Sequence, residues 1–240
     1  MKSWSIPFGV VIALSVAACD KSQAEAPKAD NPAPAKVAEP GAPADKAAEP
    51  ATSAPAEAKT DAIAEVGRAA PEFALKDLDG KEHKLSDYKG KTVVLEWYNP
   101  DCPFVVKQHN EGPLKTFAKD LAKNGFVYLA INSGAPGKQG AGLERNKTSL
   151  TEYGIEHPVL LDEDGKVGKA YKSRNTPHMY VIDPTGTLAY AGAIDNAPMG
   201  KIPDSGFVNH VADALADLDA KRAVTVAETK AYGCSVKYAD

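Results

Sequence analysis

After residue 66 apolar positions fall into short blocks. Thr92 to Tyr98 is apolar on both faces except at Glu96, which predicts a strand in the middle of a sheet. Phe126 to Ile131 predicts a second buried strand, and Val159-Leu160-Leu161 a short third. Phe73 to Leu78 and Lys81 to Leu85 flank Asp79-Gly80 and read as a hairpin. Met179 to Ile182 and Leu188 to Ala191 flank Pro184-Thr185-Gly186 and predict another. Helical spacing starts at Pro103, with a break expected at Gly112-Pro113. Residues 133–150, rich in Gly, Lys and polar groups, read as a long loop or insertion. Short helices are expected at Leu150 to Tyr153 and Val167 to Tyr171. Phe207 to Leu218 predicts an amphipathic helix with Phe207, Val208, Val211, Ala212, Leu215 and Leu218 on one side. Residues 223–240 leave that helix as an extended tail. The order, βαβ then ββα, predicts an α/β fold of one domain over 66–240, a central mixed β-sheet flanked by helices with an N-terminal β-hairpin.

The chain before residue 66 follows different rules. Met1-Lys2 precedes an apolar stretch from Ile6 to Ala18. That length suits a signal-peptide core and is too short to span a bilayer. It ends Val16-Ala17-Ala18-Cys19, which resembles the lipobox of bacterial lipoproteins. The resemblance implies a signal peptide over 1–18 and a lipid on Cys19, with the inner membrane favoured by Asp20 and the outer membrane as the alternative. Residues 21 to 60 contain fourteen Ala and seven Pro and no aromatic residue. Such a segment cannot bury enough apolar surface to offset its ordering entropy, so 19–65 is expected to be a flexible tether.

Composition narrows the field further. The chain has 240 residues and a formal net charge of -4, which gives no electrostatic footprint for nucleic acid. Three cysteines are too few for a disulfide scaffold. With Cys19 lipidated, Cys102 and Cys234 remain as thiols in an oxidising compartment.

The chemistry points to Cys102. A buried strand runs into Asn99-Pro100-Asp101-Cys102-Pro103-Phe104, which makes Cys102 the helix N-cap and Pro103 its first residue. The free N–H groups and partial positive charge there favour a thiolate, the nucleophile of disulfide exchange and peroxide reduction. This unit resembles the thioredoxin superfamily. Ala70-Pro71-Glu72-Phe73, Leu85 to Lys91, Asn99 to Phe104 and Gly233 to Tyr238 resemble its redoxin branch, which holds the peroxiredoxins and alkyl hydroperoxide reductases. The resemblance implies a thioredoxin-like fold over residues 66 to 240. It implies a cis bond at Thr176-Pro177, with Pro103, Thr176 and Pro177 forming a substrate groove, and a proton-handling role for the buried acid Glu96. Three features depart from the family. Leu95 stands where peroxiredoxins carry a Pro seven residues before the cysteine. Val105 stands where thioredoxins carry a second cysteine. Asn99 stands where peroxiredoxins carry Thr or Ser, although its amide could still donate to the sulfur. Arg174, three residues before Pro177, is the candidate for the arginine that peroxiredoxins place near the thiolate.

Gly233 permits a bend before Cys234, and a tail cysteine could fold back to meet Cys102. A Cys102–Cys234 disulfide is the expectation, with Cys234 resolving Cys102; a purely structural staple is the alternative. His83, His109, His157, His178 and His210 are scattered. His109 or His178 with Cys102 could hold copper, but no second nearby cysteine supports this, so no metal and no cofactor is expected. The resulting reading is an envelope-facing, lipid-anchored thiol oxidoreductase with peroxiredoxin-like antioxidant activity. Its expected partners are the membrane, a thiol reductant or protein disulfide, and a peroxide. The alternatives are a thiol–disulfide oxidoreductase without peroxidase activity, and a non-catalytic binding module.

Overall fold

The structure, a computed structural model, describes residues 62–240. The expected signal peptide, Cys19 and the tether up to residue 61 lie outside the described residues. Strands β1 (Ala74–Asp77) and β2 (Glu82–Lys84) form the first hairpin, and β3 (Val93–Trp97) leads to α1 (Pro103–Asn110) and α2 (Leu114–Lys123). Then come β4 (Val127–Asn132), α3 (Leu143–Tyr153), β5 (Val159–Leu161), α4 (Lys166–Ala170) and the two-residue β6 (Asn175–Thr176). The chain ends with β7 (His178–Ile182), β8 (Leu188–Gly192), α5 (His210–Asp219) and β9 (Cys234–Ser235).

The main sheet runs β2-β1-β5-β4-β3-β7-β8. Strand β3 lies inside it, parallel to β4 with Val93 opposite Val127 and antiparallel to β7 with Trp97 opposite His178. Alternate residues therefore meet different helices. Leu95, Trp97, Leu129 and Ile131 pack with Val167 of α4 and with Tyr171 and Tyr180. The Trp97 ring sits 5.2 Å from Tyr171 and 5.1 Å from Tyr180. Val94, Tyr128 and Val181 face the other way, toward Leu114 and Leu121 of α2 and Val211 and Leu215 of α5. With helices on both faces, β3 has no solvent side, and this is why its sequence lacks polar alternation.

Two helices differ from expectation. Helix α3 begins at Leu143 rather than Leu150, so the loop is 133–142. Its buried residues are Asn146 and Ser149. Asn146 Nδ2 donates to Gly142 O at 2.8 Å, and its Oδ1 accepts from Asn132 Nδ2 at 2.9 Å. Hydrogen bonds anchor the first two turns of this helix, and only Leu150 and Tyr153 near its end pack against the core, so hydrophobic periodicity does not reveal its start. Helix α5 starts at His210, after Phe207 and Val208, because Asn209 caps it by accepting from Ala212 N at 2.9 Å. Phe207 is exposed.

Burial pushes the imidazoles of His157 and His178 down to about 4, against about 6.5 in an unfolded chain. The native state thus refuses a proton that the unfolded chain accepts. This stability is present above pH ~6.5 and is lost as the pH falls toward about 4. Each histidine should contribute about 1 kcal/mol or more. Chemical denaturation across this range should show a decline that His157→Phe flattens; an unchanged slope in the variant would refute the assignment.

Candidate active site

Strand β3 delivers its chain end to the start of α1. Cys102 occupies the N-cap with extended backbone and Pro103 the first helical position. The Cys102 side chain caps nothing; its S–H donates to Thr176 O at 3.0 Å, and the residue is 0% exposed. Asn99 does not serve the sulfur as the sequence suggested. Its Oδ1 accepts from Asp101 N at 2.8 Å and its Nδ2 donates to Gln139 O at 3.1 Å. The short polar side chain builds its own turn and ties it to the 133–142 loop. Arg145 braces the same turn, with Nε 2.7 Å from Asp101 Oδ1 and a bond to Pro100 O at 3.3 Å. Sequence reasoning missed Arg145 because it lies in the segment read as loop.

The Thr176–Pro177 peptide bond is cis. The groove beside it is filled by the chain's own tail. Strand β9 pairs antiparallel with β6, placing Cys234 opposite Thr176 and Ser235 opposite Asn175. Both cysteines are free thiols. Burial, and after it the neighbouring Cys102 thiol, pushes the Cys234 thiol up to about 11. Gly233 allows the approach: a Cβ there would lie 2.0 Å from Thr176 O, and its φ is +131°, a region L-residues rarely adopt. Upstream, Thr229 N donates to Ala191 O at 3.1 Å on β8, and the Tyr232 hydroxyl donates to Asp195 at 2.6 Å. Gly233→Ala should therefore lift the tail. Hydrogen exchange should show the amide of Val236, bonded to Arg174 O at 3.1 Å, losing protection while β3 amides keep theirs. Retained protection at Val236 would contradict this docking.

Glu96 is 0% exposed. Its carboxyl group accepts from Tyr128 Oη at 2.9 Å and lies 3.1 Å from His109 Nε2. The group is a fully buried polar centre between β3, β4 and α1. His109, two turns along α1 from Cys102, is thereby committed to Glu96, and His178 Nδ1 lies 3.0 Å from the Tyr180 hydroxyl. Among the described residues no group of three or more His, Cys, Asp and Glu is arranged to hold a metal ion.

The structure brings Cys102, Thr176, Pro177 and Cys234 together at one end of the sheet, with Pro103 exposed beside them. It does not bring Arg174 in. That side chain is exposed and makes no hydrogen bond or ion pair among the described residues; only its backbone takes part, holding the tail through Val236.

The sequence profile of the AhpC/TSA family matches residues 66–191, more than half of the chain. The chain belongs to the AhpC/TSA family. It is 32% identical over 125 residues to the thiol-disulfide oxidoreductase ResA of Geobacillus thermodenitrificans, covering 51% of this chain and 66% of that one. It thus spans just under two thirds of that relative's length. It is 30% identical over 207 residues to the chloroplastic peroxiredoxin Q of Triticum aestivum, covering 75% and 90%. Among solved structures, an uncharacterized conserved protein of Geobacillus kaustophilus is 31% identical, with a TM-score of 0.66 and coverage of 73% and 93%. A hypothetical protein of Sinorhizobium meliloti 1021 is 28% identical, with a TM-score of 0.65 and coverage of 73% and 96%. The fold of this AhpC/TSA member is thioredoxin-like, an α/β domain with a mixed central sheet.

Proposed function

We propose that this AhpC/TSA protein is a thiol–disulfide oxidoreductase in which Cys102 is the nucleophile and Cys234 resolves it. The observation that carries the reading is the pairing of the Cys234 strand with Thr176 directly beside Cys102. The likeness to ResA supports disulfide exchange over peroxide reduction as the leading activity. So does the site, where Asn99 is committed to the turn and Arg174 is exposed. The likeness to peroxiredoxin Q supports peroxide as a second substrate.

The chemistry balances without a cofactor. The tail lifts, because Cys102 is fully covered when it is docked. The Cys102 thiolate attacks one sulfur of a target disulfide, forming a mixed disulfide and expelling the other sulfur as thiolate. Cys234 then loses its proton and attacks the Cys102 sulfur, releasing the second target thiol and leaving Cys102–Cys234. The target disulfide gains two electrons and two protons. Burial is the main cause that holds the Cys234 thiol up, so lifting of the tail eases its deprotonation for the second step. We assign the handling of the proton to the buried acid Glu96, with His109 3.1 Å from it. A thiol reductant regenerates the pair. The Val16-Ala17-Ala18-Cys19 motif supports a lipid anchor on Cys19 facing the periplasm.

The test mixes reduced full-length Cys19→Ser protein with equal amounts of a model protein disulfide or hydrogen peroxide. Faster consumption of the disulfide supports the proposal. Faster consumption of peroxide transfers the assignment to a peroxidase, and inertness to both refutes a redox role.

A further inference from the structure

Beyond Cys234 the tail continues into a feature that the redox chemistry does not require. Extended chain alternates sides: Cys234 and Val236 pack inward against the cores around Cys102 and Trp97, while Ser235 is exposed. Tyr238, next on the inward side, enters a slot beside α4. Two glycines make the slot. A Cβ on Gly165 would lie 2.6 Å from the Tyr238 ring, and one on Gly168 would lie 2.4 Å from its hydroxyl. At the closed end the hydroxyl donates to Ser173 O at 2.8 Å. Lys169 Nζ sits 5.8 Å from the ring centroid. Ala135 N holds the chain between by donating to Lys237 O at 2.8 Å. A rigid floor supports it: Asp162 accepts from Ser133 Oγ and from Gly168 N at 2.8 Å, and Ser133 in turn accepts from Trp97 Nε1 at 3.0 Å.

We propose that this slot is a tyrosine-specific subsite, which makes the groove select extended segments of the form Gly-Cys-x-aliphatic-x-Tyr. The chain's own tail occupies it at rest, and a protein disulfide partner carrying the same pattern displaces the tail. The proposal rests on the exchange reading for its partner class, but the slot itself is defined by binding. Glycine precedes the cysteine because a Cβ would strike Thr176 O. The aliphatic residue fills the contact Val236 makes. The tyrosine needs both the ring-shaped gap and the Ser173 carbonyl.

The experiment uses full-length protein with Cys19→Ser and Cys234→Ser, with and without Tyr238→Ala to vacate the slot. The probe is a fluorescein-labelled peptide spanning residues 231–240, with serine for the cysteine and either Tyr or Ala at its 238 position. In the vacated protein the Tyr peptide should bind about tenfold or more tighter, the contribution of burying one aromatic ring. With Tyr238 in place both peptides should bind weakly and alike. Equal binding of the two peptides to the vacated protein would overturn the subsite. The same peptides carrying cysteine as a mixed disulfide with thionitrobenzoate separate this from the chemistry. Attack by Cys102 on the peptide sulfur releases coloured thionitrobenzoate and leaves Cys102 joined to the peptide. Selective binding without release would uphold the slot and sink the exchange reading. Release at equal rates, with equal binding, would do the reverse.

Discussion

Cys102→Ser should abolish turnover of a protein disulfide, lowering the rate by about a thousandfold or more, because no other group in the site can form the first covalent bond. Cys234 is a poor substitute, since burial holds its thiol up in the docked tail and the lifted tail carries it away from the helix start that Cys102 occupies. Cys234→Ser should behave differently. The first attack survives, the second is lost, and the mixed disulfide on Cys102 persists long enough to be seen by mass spectrometry. Two variants at one site, with opposite fates for the intermediate, separate a nucleophile from a resolving partner. Equal activity of Cys102→Ser and wild type would remove the mechanism altogether.

His109→Leu should have the largest effect on stability. It leaves the Glu96 carboxyl group buried with only the Tyr128 hydroxyl as a partner. Removing one member of a buried pair costs about 3–5 kcal/mol, which for a domain of this size lowers Tm by roughly 10 °C. The double variant Glu96→Leu with His109→Leu should recover part of the loss, because the Tyr128 hydroxyl is then the one polar group of the cluster left without its partner. A single variant that melts with the wild type would show that His109 does not compensate Glu96. If the double variant folds but exchanges disulfides slowly, the pair is held for proton handling rather than for stability.

The fold was largely legible because its signals are local and repeated. A β3 apolar on both faces except at Glu96, the Asp79-Gly80 and Pro184-Thr185-Gly186 turns and the break at Gly112-Pro113 each imply one element. Helix α3 was hidden because it packs through Asn146 and Ser149, and hydrophobic spacing is silent about a helix anchored by amides. Phe207 was misplaced because apolar character marks burial only on average; the Asn209 cap, not the stripe, fixed where α5 starts. At the site, Cys102 and Pro177 were readable from the strand–turn–helix unit and its resemblance. Asn99 and Arg174 take other partners than the sequence suggested, for a common reason. Proximity in sequence does not say which partner a polar side chain takes, and here Asn99 closes its own turn while Arg174 contributes only its backbone. Arg145 and the Gly165–Gly168 slot depend on contacts between segments far apart in the chain, which a single sequence does not display.

The central claim is that Cys102 and Cys234 work as one pair. It is tested most directly by intact mass and peptide mapping of reduced full-length Cys19→Ser protein, before and after one equivalent of a small activated disulfide. The account predicts loss of two hydrogens, mapped to a single crosslink between Cys102 and Cys234, with both leaving thiols free in solution. A stable adduct on Cys102 with Cys234 still reduced would contradict it.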